Sequence, residues 1–216
     1  MKEAEVIKYL KKKLKFDDVS IKKLYTFTNL LLNANKKYNL IGKSTENFIW
    51  TRHILDSAQL INYLDDNTKK IADFGTGAGF PGIILSIFNT KNKFHVKLYE
   101  KSPVKRDFLK HIREILQLKF DIESNVYQDE INADVILARA FKKLGEIIKI
   151  SRENCIDPHS LLILKGKKAK KEINEFFENV IVNDQDDLIK KNRLELLQML
   201  CKTFDNYLNF SKVESL

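Results

Sequence analysis

The sequence predicts a doubly wound α/β domain with a mostly parallel sheet, set behind a helical N-terminal extension. Three observations carry this. The opening stretch has helical spacing and no glycine or proline before Gly42; from Lys69 onward, short apolar runs alternate with helical segments; and four of the seven glycines fall in residues 75–82, directly after the first apolar run.

In the extension, residues 1–66, Ile7, Leu10 and Leu14 and then Leu24, Phe27 and Leu31 recur at three- and four-residue spacing, the mark of two amphipathic helices. Asp17-Asp18 with Ser20 forms an N-terminal cap for the second. Ser44-Thr45-Glu46-Asn47 opens a third helical stretch that leads into residues 52–64, and Asp65-Asp66-Asn67-Thr68 is a turn cluster. Within residues 67–216 the strands fall at 71–74, 94–99, 120–123, 135–138 and 161–164, with helices at 82–88, 104–118, 142–153 and 168–177. Residues 192–202 carry the Leu194, Leu197, Leu200 and Cys201 spacing of one more helix, where such a domain often closes with an antiparallel strand pair.

At 216 residues, with 38 Lys and Arg against 29 Asp and Glu, the chain holds one domain and an appendage at a net charge of +9. A hydrophobic share of 44% is too high for a disordered chain. The first residues mix charges, and no stretch approaches the roughly 18 consecutive apolar residues of a membrane span, so neither secretion nor a membrane is expected. Cys155 and Cys201 match no metal or redox spacing; no metal is expected, and reduced thiols point to the cytoplasm. The basic excess favours a polyanionic partner, although a solvated lysine surface gives the same balance. Only six basic residues are arginines, so an arginine here stands where its planar fork is needed.

The chemistry gathers at the run Asp73-Phe74-Gly75-Thr76-Gly77-Ala78-Gly79-Phe80-Pro81-Gly82. It joins a strand to a helix, where a doubly wound fold brings a ligand against bare backbone. Phe80 stands where a dinucleotide fingerprint needs glycine, and no Gly-Lys-Ser/Thr follows, which excludes a P-loop. An acid two residues before Gly-x-Gly-x-Gly suits a cofactor without a pyrophosphate, such as S-adenosylmethionine; the bland reading is a tight turn that packs a helix on the sheet. Glu100, at the end of the second strand, can accept both ribose hydroxyls of an adenosine, or serve as a helix-capping or surface acid before Ser102-Pro103. Arg139, just past the fourth strand, can pair its fork with a phosphate, a guanine edge or a carboxylate, or serve as a structural ion pair. Phe141 is a candidate for stacking on a base or for the core, and Lys165-Gly166-Lys167-Lys168 with Lys170 and Lys171 for RNA phosphate contacts. In Arg52-His53-Ile54-Leu55-Asp56-Ser57, helical spacing sets Arg52 beside Asp56 and His53 beside Ser57.

The block from Ile71 to Ile83 resembles the signature of the RsmG family, also called glucose-inhibited division protein B, the 16S ribosomal RNA guanine-N7 methyltransferases. Lys37-Tyr38-Asn39-Leu40, Arg52-His53-Ile54-Leu55-Asp56-Ser57, Ala138-Arg139-Ala140-Phe141 and Leu164-Lys165-Gly166 fit it in order. The resemblance implies a Rossmann-like class I methyltransferase fold and S-adenosyl-L-methionine as cofactor, with 16S ribosomal RNA or the small ribosomal subunit as partner. It implies cofactor contacts at Gly75, Phe80, Val126, Tyr127 and Arg139, to which the residue reading adds Asp73, Gly77, Gly79 and Glu100. Arg139 and Lys165 are the candidates for acting on the substrate. Asn125 and Tyr127 depart from the arginine and acid that the family often carries there.

Methylation at guanine N7 needs no general base, because N7 carries a lone pair in the neutral base. Alignment and preorganised electrostatics suffice. A cytosine C5 enzyme would need a nucleophilic cysteine at a strand end, which neither Cys155 nor Cys201 provides. Two other readings stay open from the residues: a methyltransferase with a different acceptor, and a non-catalytic RNA-binding module.

Overall fold

The computed structural model describes residues 1–127, 130–155, 157–166 and 169–183. The chain begins with helices α1 (Glu3–Lys12) and α2 (Asp18–Tyr38). Asp17 caps α2 by accepting the Ser20 N–H at 2.7 Å, and this bond holds its carboxyl below the ordinary range. Asn39 ends the helix in the left-handed conformation at φ 48°. The Asn35 amide, 2% exposed, then clamps the outgoing chain: its Oδ1 accepts the Ile41 N–H at 2.7 Å, and its Nδ2 donates to Ile41 O and to Glu46.

The third helical stretch is not one α-helix. It runs as 3₁₀ turns at Lys43–Phe48, a π-helical segment at Trp50–Leu55, the short α3 (Asp56–Ala58) and 3₁₀ turns at Gln59–Tyr63. The π-helical segment buries Trp50, His53, Ile54 and Leu55, and its wider turn departs from the 3.6-residue period that the spacing predicts.

Five strands follow: β1 (Lys70–Phe74), β2 (His95–Tyr99), β3 (Phe120–Glu123), β4 (Val135–Arg139) and β5 (Ser160–Leu164). They pair in the order β3-β2-β1-β4-β5, and every pairing is parallel. Helices α4 (Gly82–Phe88), α5 (Pro103–Leu116), α6 (Leu144–Asn154) and α7 (Ala169–Asn183) make the crossovers and the final layer. The Asp134 carboxylate fixes where β1 and β4 start, accepting the Lys69 and Lys70 N–H groups at 2.7 and 2.8 Å.

Alternation along the strands divides the core. Ile71, Val96, Leu98, Val135, Leu137, Leu162 and Leu164 face α4, α5 and the leader helices; Ala72, Phe74, Tyr99, Ile136, Ala138, Leu161 and Ile163 face the α6 side. The leader therefore shares a continuous core with the sheet, through Val6, Leu10, Leu24, Phe27 and Leu31, all fully buried. Removing the Phe27 ring alone would cost about 3–5 kcal/mol.

A close approach inside the fold is at Gly82, the first residue of α4. A Cβ there would lie 2.2 Å from Leu98 Cδ2 and 2.7 Å from Asp73 Oδ2. Gly82→Ala is expected to destabilise the fold by about 2–3 kcal/mol, an overpacking cost, measured as a shift in the urea midpoint at unchanged slope. An unaltered midpoint would mean that α4 can slide away from β2.

Among the described residues no helix is long and apolar enough to cross a membrane, and no group of three or more His, Cys, Asp or Glu side chains is placed to hold a metal ion. Cys155 sits at the end of α6 with burial pushing its thiol up to about 11, which suppresses the reactive thiolate. The expected helix at residues 192–202, and with it Cys201, lies outside the described residues.

Candidate active site

The strand order reverses direction between β1 and β4, and the site is built at their carboxyl ends. Asp73, fully buried under the loop, shapes it: its Oδ2 accepts Thr76 Oγ1–H at 2.6 Å and the Gly82 N–H at 2.8 Å, tying the first loop residue after Gly75 to the first turn of α4. Its Oδ1 has no hydrogen-bond partner among the described residues, and burial pushes the carboxyl up to about 7. Asp73 was expected at the cofactor. Its side chain instead points into the protein, where it sets the backbone that a cofactor would meet.

Gly77 holds φ at +62°, and a Cβ built on it would meet only Gly75 O, at 3.9 Å. Protein atoms therefore leave the space above it open. Its N–H donates to Glu100 Oε2 at 2.9 Å, while Glu100 Oε1 accepts the Ser102 N–H at 2.8 Å. Two backbone donors thus orient a 6% exposed carboxylate that keeps further lone pairs for a ligand. Arg106 braces the same turn by donating to the carbonyls of Glu100 and Lys101 at 2.9 and 2.7 Å.

Glu100 lines a cleft of about 460 Å³ together with Gly75, Tyr99, Val126, Tyr127 and Phe141. Its size is that of a small-molecule site. Residue 75 is glycine because the Phe141 ring leans on its backbone: a Cβ there would lie 2.2 Å from Phe141 Cδ2. Phe141 reaches this position because Ala140, at φ 51°, turns the chain sharply after β4. Its ring also meets Phe74 edge-on, with centroids 6.2 Å apart, so the residue is at once a wall of the cleft and part of the core margin. An acid flanked by backbone donors, open space over a glycine and an aromatic wall fit a nucleoside carrying a short polar chain.

Arg139 stands on the other side of the glycine loop. Its guanidinium lies 5.6 Å from the Phe80 ring centroid, donates from Nη1 to His53 Nδ1 at 2.9 Å and from Nη2 to the Arg52 carbonyl at 2.5 Å. His53, 8% exposed, also stacks on Phe80 with centroids 4.9 Å apart, and Phe80 in turn meets Phe27 of α2 at 5.4 Å. The helical spacing had paired His53 with Ser57. In the π-helical segment that pair does not form: Ser57 Oγ has no partner among the described residues, and His53 turns to Thr45 and Arg139.

Burial, with Arg139 and Arg52 nearby, lowers His53 to about 4. A histidine whose folded pKa lies below its unfolded value stabilises fully above about 6.5, and that stability is lost as pH falls toward 4. Between pH 7 and 4 the wild type is expected to lose about 3 kcal/mol more unfolding free energy than His53→Gln, read from urea titrations at each pH. Parallel curves would mean that the imidazole titrates as if exposed. Asp56, next in the motif, is pushed up to about 6 by burial against the pull of Arg139 and Arg52.

The structure therefore brings Gly75, Glu100, Val126 and Tyr127 to one cleft, whereas Phe80 and Arg139 do not line it and meet each other beside His53. Gly79, at φ 101°, packs against Ile83 and serves the turn. Lys165 does not stand free at the rim as a phosphate contact. Its Nζ donates to the Lys142 carbonyl at 2.6 Å and pairs with Glu172 at 2.8 Å, and Glu172 also accepts the Leu144 N–H, so this lysine braces the β4–α6 turn against α7. Lys170 and Lys171 are exposed, and Lys171 pairs with Glu175; Lys167 and Lys168 lie outside the described residues. The partners of His53 are what residue spacing missed, since Arg139 is 86 positions away.

The parallel sheet, its glycine loop and the acid after β2 together define a Rossmann-like class I methyltransferase domain. A model of the family described as rRNA small subunit methyltransferase G (GidB) matches residues 20–197. The chain belongs to this family. It is 38% identical over 159 residues to the ribosomal RNA small subunit methyltransferase G of Pelagibacter ubique, covering 71% of this chain and 75% of that one. The Magnetococcus marinus protein of the same name is 36% identical over 172 residues, 76% of each chain, and that of Rickettsia bellii 38% over 157 residues, 72% of this chain and 79% of the other.

Proposed function

We propose that this chain transfers a methyl group from S-adenosylmethionine to N7 of a guanine in 16S ribosomal RNA, acting in the cytoplasm on the small subunit or its RNA. The observation that carries the reading is the Gly77 N–H bonded to Glu100, whose carboxylate lines the cleft, in a chain of the small-subunit methyltransferase family. When bound, S-adenosylmethionine supplies an electrophilic methyl group on a sulfonium sulfur.

The residues then divide the remaining work. Glu100 takes the ribose hydroxyls, held by the two N–H donors that already aim its carboxylate. Val126 and Tyr127 flank the base, while Gly75 and Gly77 offer backbone to the amino-acid end, and Asp73 and Gly79 keep that loop in shape. Phe80 carries Arg139 on its face, and the charge of the guanidinium, whose two arms are held by His53 and the Arg52 carbonyl, serves an anionic group, either the methionine carboxylate or an RNA phosphate. Lys165 contributes from beneath, holding the turn that carries Phe141 and Lys142. No side chain is asked to remove a proton, since the N7 lone pair is available in the neutral base. The protein's task is alignment in a cleft partly shielded from water.

RNA as the acceptor is tested by salt. At a net charge of +9, the logarithm of affinity for small-subunit RNA is expected to fall linearly and steeply with the logarithm of salt concentration, since each neutralised phosphate releases counterions. A flat dependence would move the acceptor to a neutral small molecule.

A further inference from the structure

Arg139 is held by the leader. Arginine donates only, so His53 Nδ1, 2.9 Å from Arg139 Nη1, must be the acceptor and carry no hydrogen. The hydrogen of the neutral ring then lies on Nε2, which donates to Thr45 Oγ1 at 2.9 Å. Thr45 in turn donates its hydroxyl hydrogen to the Gly42 carbonyl at 2.7 Å. Every donor and acceptor in this chain has a single consistent direction, running from the guanidinium through the imidazole to the backbone of the leader. The Arg52 carbonyl holds the other arm of the fork at 2.5 Å, and the Phe80 ring lies against both His53 and Arg139.

We propose that His53 is a positioning residue for methyl transfer: a neutral imidazole, supplied by the leader, that fixes where the Arg139 guanidinium sits at the rim of the sheet. The proposal rests on the methyl-transfer reading of the site and adds to it a task for the leader. The Arg-His pair at positions 52 and 53 works as one clamp, one residue giving a carbonyl and the other a ring nitrogen to the same guanidinium. A protonated imidazole, or one with its hydrogen on Nδ1, would point a donor at a donor and release that arm.

A double-substitution cycle in methyl transfer to small ribosomal subunits separates positioning from plain stability. His53→Ala alone is expected to lower kcat/KM at least about tenfold, since small misplacements of a binding group are costly in rate. In an Arg139→Ala background the same substitution is expected to cost less than about twofold, because the group it positions is already gone. An equal factor in both backgrounds, or no loss in the first, overturns the proposal. Should His53→Ala fail to fold, Thr45→Val leaves the imidazole in place and removes the acceptor of its Nε2 hydrogen, together with the hydroxyl donated to the Gly42 carbonyl. Two-bond ¹H–¹⁵N spectra are then expected to show the Nδ1–H form rising and turnover falling with it. Unchanged turnover in this variant overturns the proposal, as does a wild-type His53 with hydrogen on Nδ1 near neutral pH. A wild type that transfers no methyl to RNA would overturn the functional reading instead, and the tautomer would still report whether His53 accepts from Arg139.

Discussion

Gly77→Val is expected to fold and to lose S-adenosylmethionine binding, with affinity at least about a hundredfold weaker, or about 2.7 kcal/mol. Two features of the position combine. At φ +62° a side chain is strained by about 1–2 kcal/mol, a cost that a domain with this much buried core tolerates. The open space next to it, where a Cβ meets nothing closer than Gly75 O at 3.9 Å, is the space that the proposed function assigns to the amino-acid end of the cofactor. The substitution also disturbs the N–H that aims Glu100. Calorimetric titration with a parallel melting curve separates these effects from unfolding. Gly82→Ala makes the opposite pattern, since its clash is with Leu98 and Asp73 inside the fold. Unchanged cofactor affinity in Gly77→Val would place the cofactor away from this loop.

For Arg139→Ala the expected result is a loss of methyl transfer of about 10²–10³-fold, with a much smaller loss of stability. The stability loss is not zero. Removing the guanidinium leaves the His53 Nδ1 and the Arg52 carbonyl without this donor and uncovers Phe80, which costs about 1–3 kcal/mol, or a few degrees in Tm for a chain of this size. Transfer rates at saturating cofactor and subunit, beside thermal melts, give both numbers. Transfer reduced only in proportion to the folded fraction would make Arg139 a structural tie between leader and sheet.

The sheet was legible because its strands are short apolar runs bounded by turn residues, and each of the five expected strands lies within one residue of an observed boundary. The glycine loop and Glu100 were legible for a similar reason: backbone requirements of this kind fall on consecutive residues. Residues 43–63 were not, because spacing alone favours an ordinary helix, while the 3₁₀ and π-helical turns seen there carry no period of their own in the sequence. Asp73 shows a second limit. An acid before a glycine loop can face the ligand or the loop's own backbone, and only the pleat of β1, which points it toward α4 and the Gly82 N–H, decides. Lys165 shows a third: its partners, the Lys142 carbonyl and Glu172, are set by how the β4–α6 turn meets α7. A run of lysines looks alike whether it faces RNA or braces a turn.

Transfer of labelled methyl from S-adenosylmethionine to small ribosomal subunits lacking the modification, followed by chemical cleavage at N7-methylguanine, tests the central claim most directly. Label in the 16S RNA at a single cleavable guanine is the expected result. Label that is absent from RNA, or that resides at positions resistant to this cleavage, would contradict it.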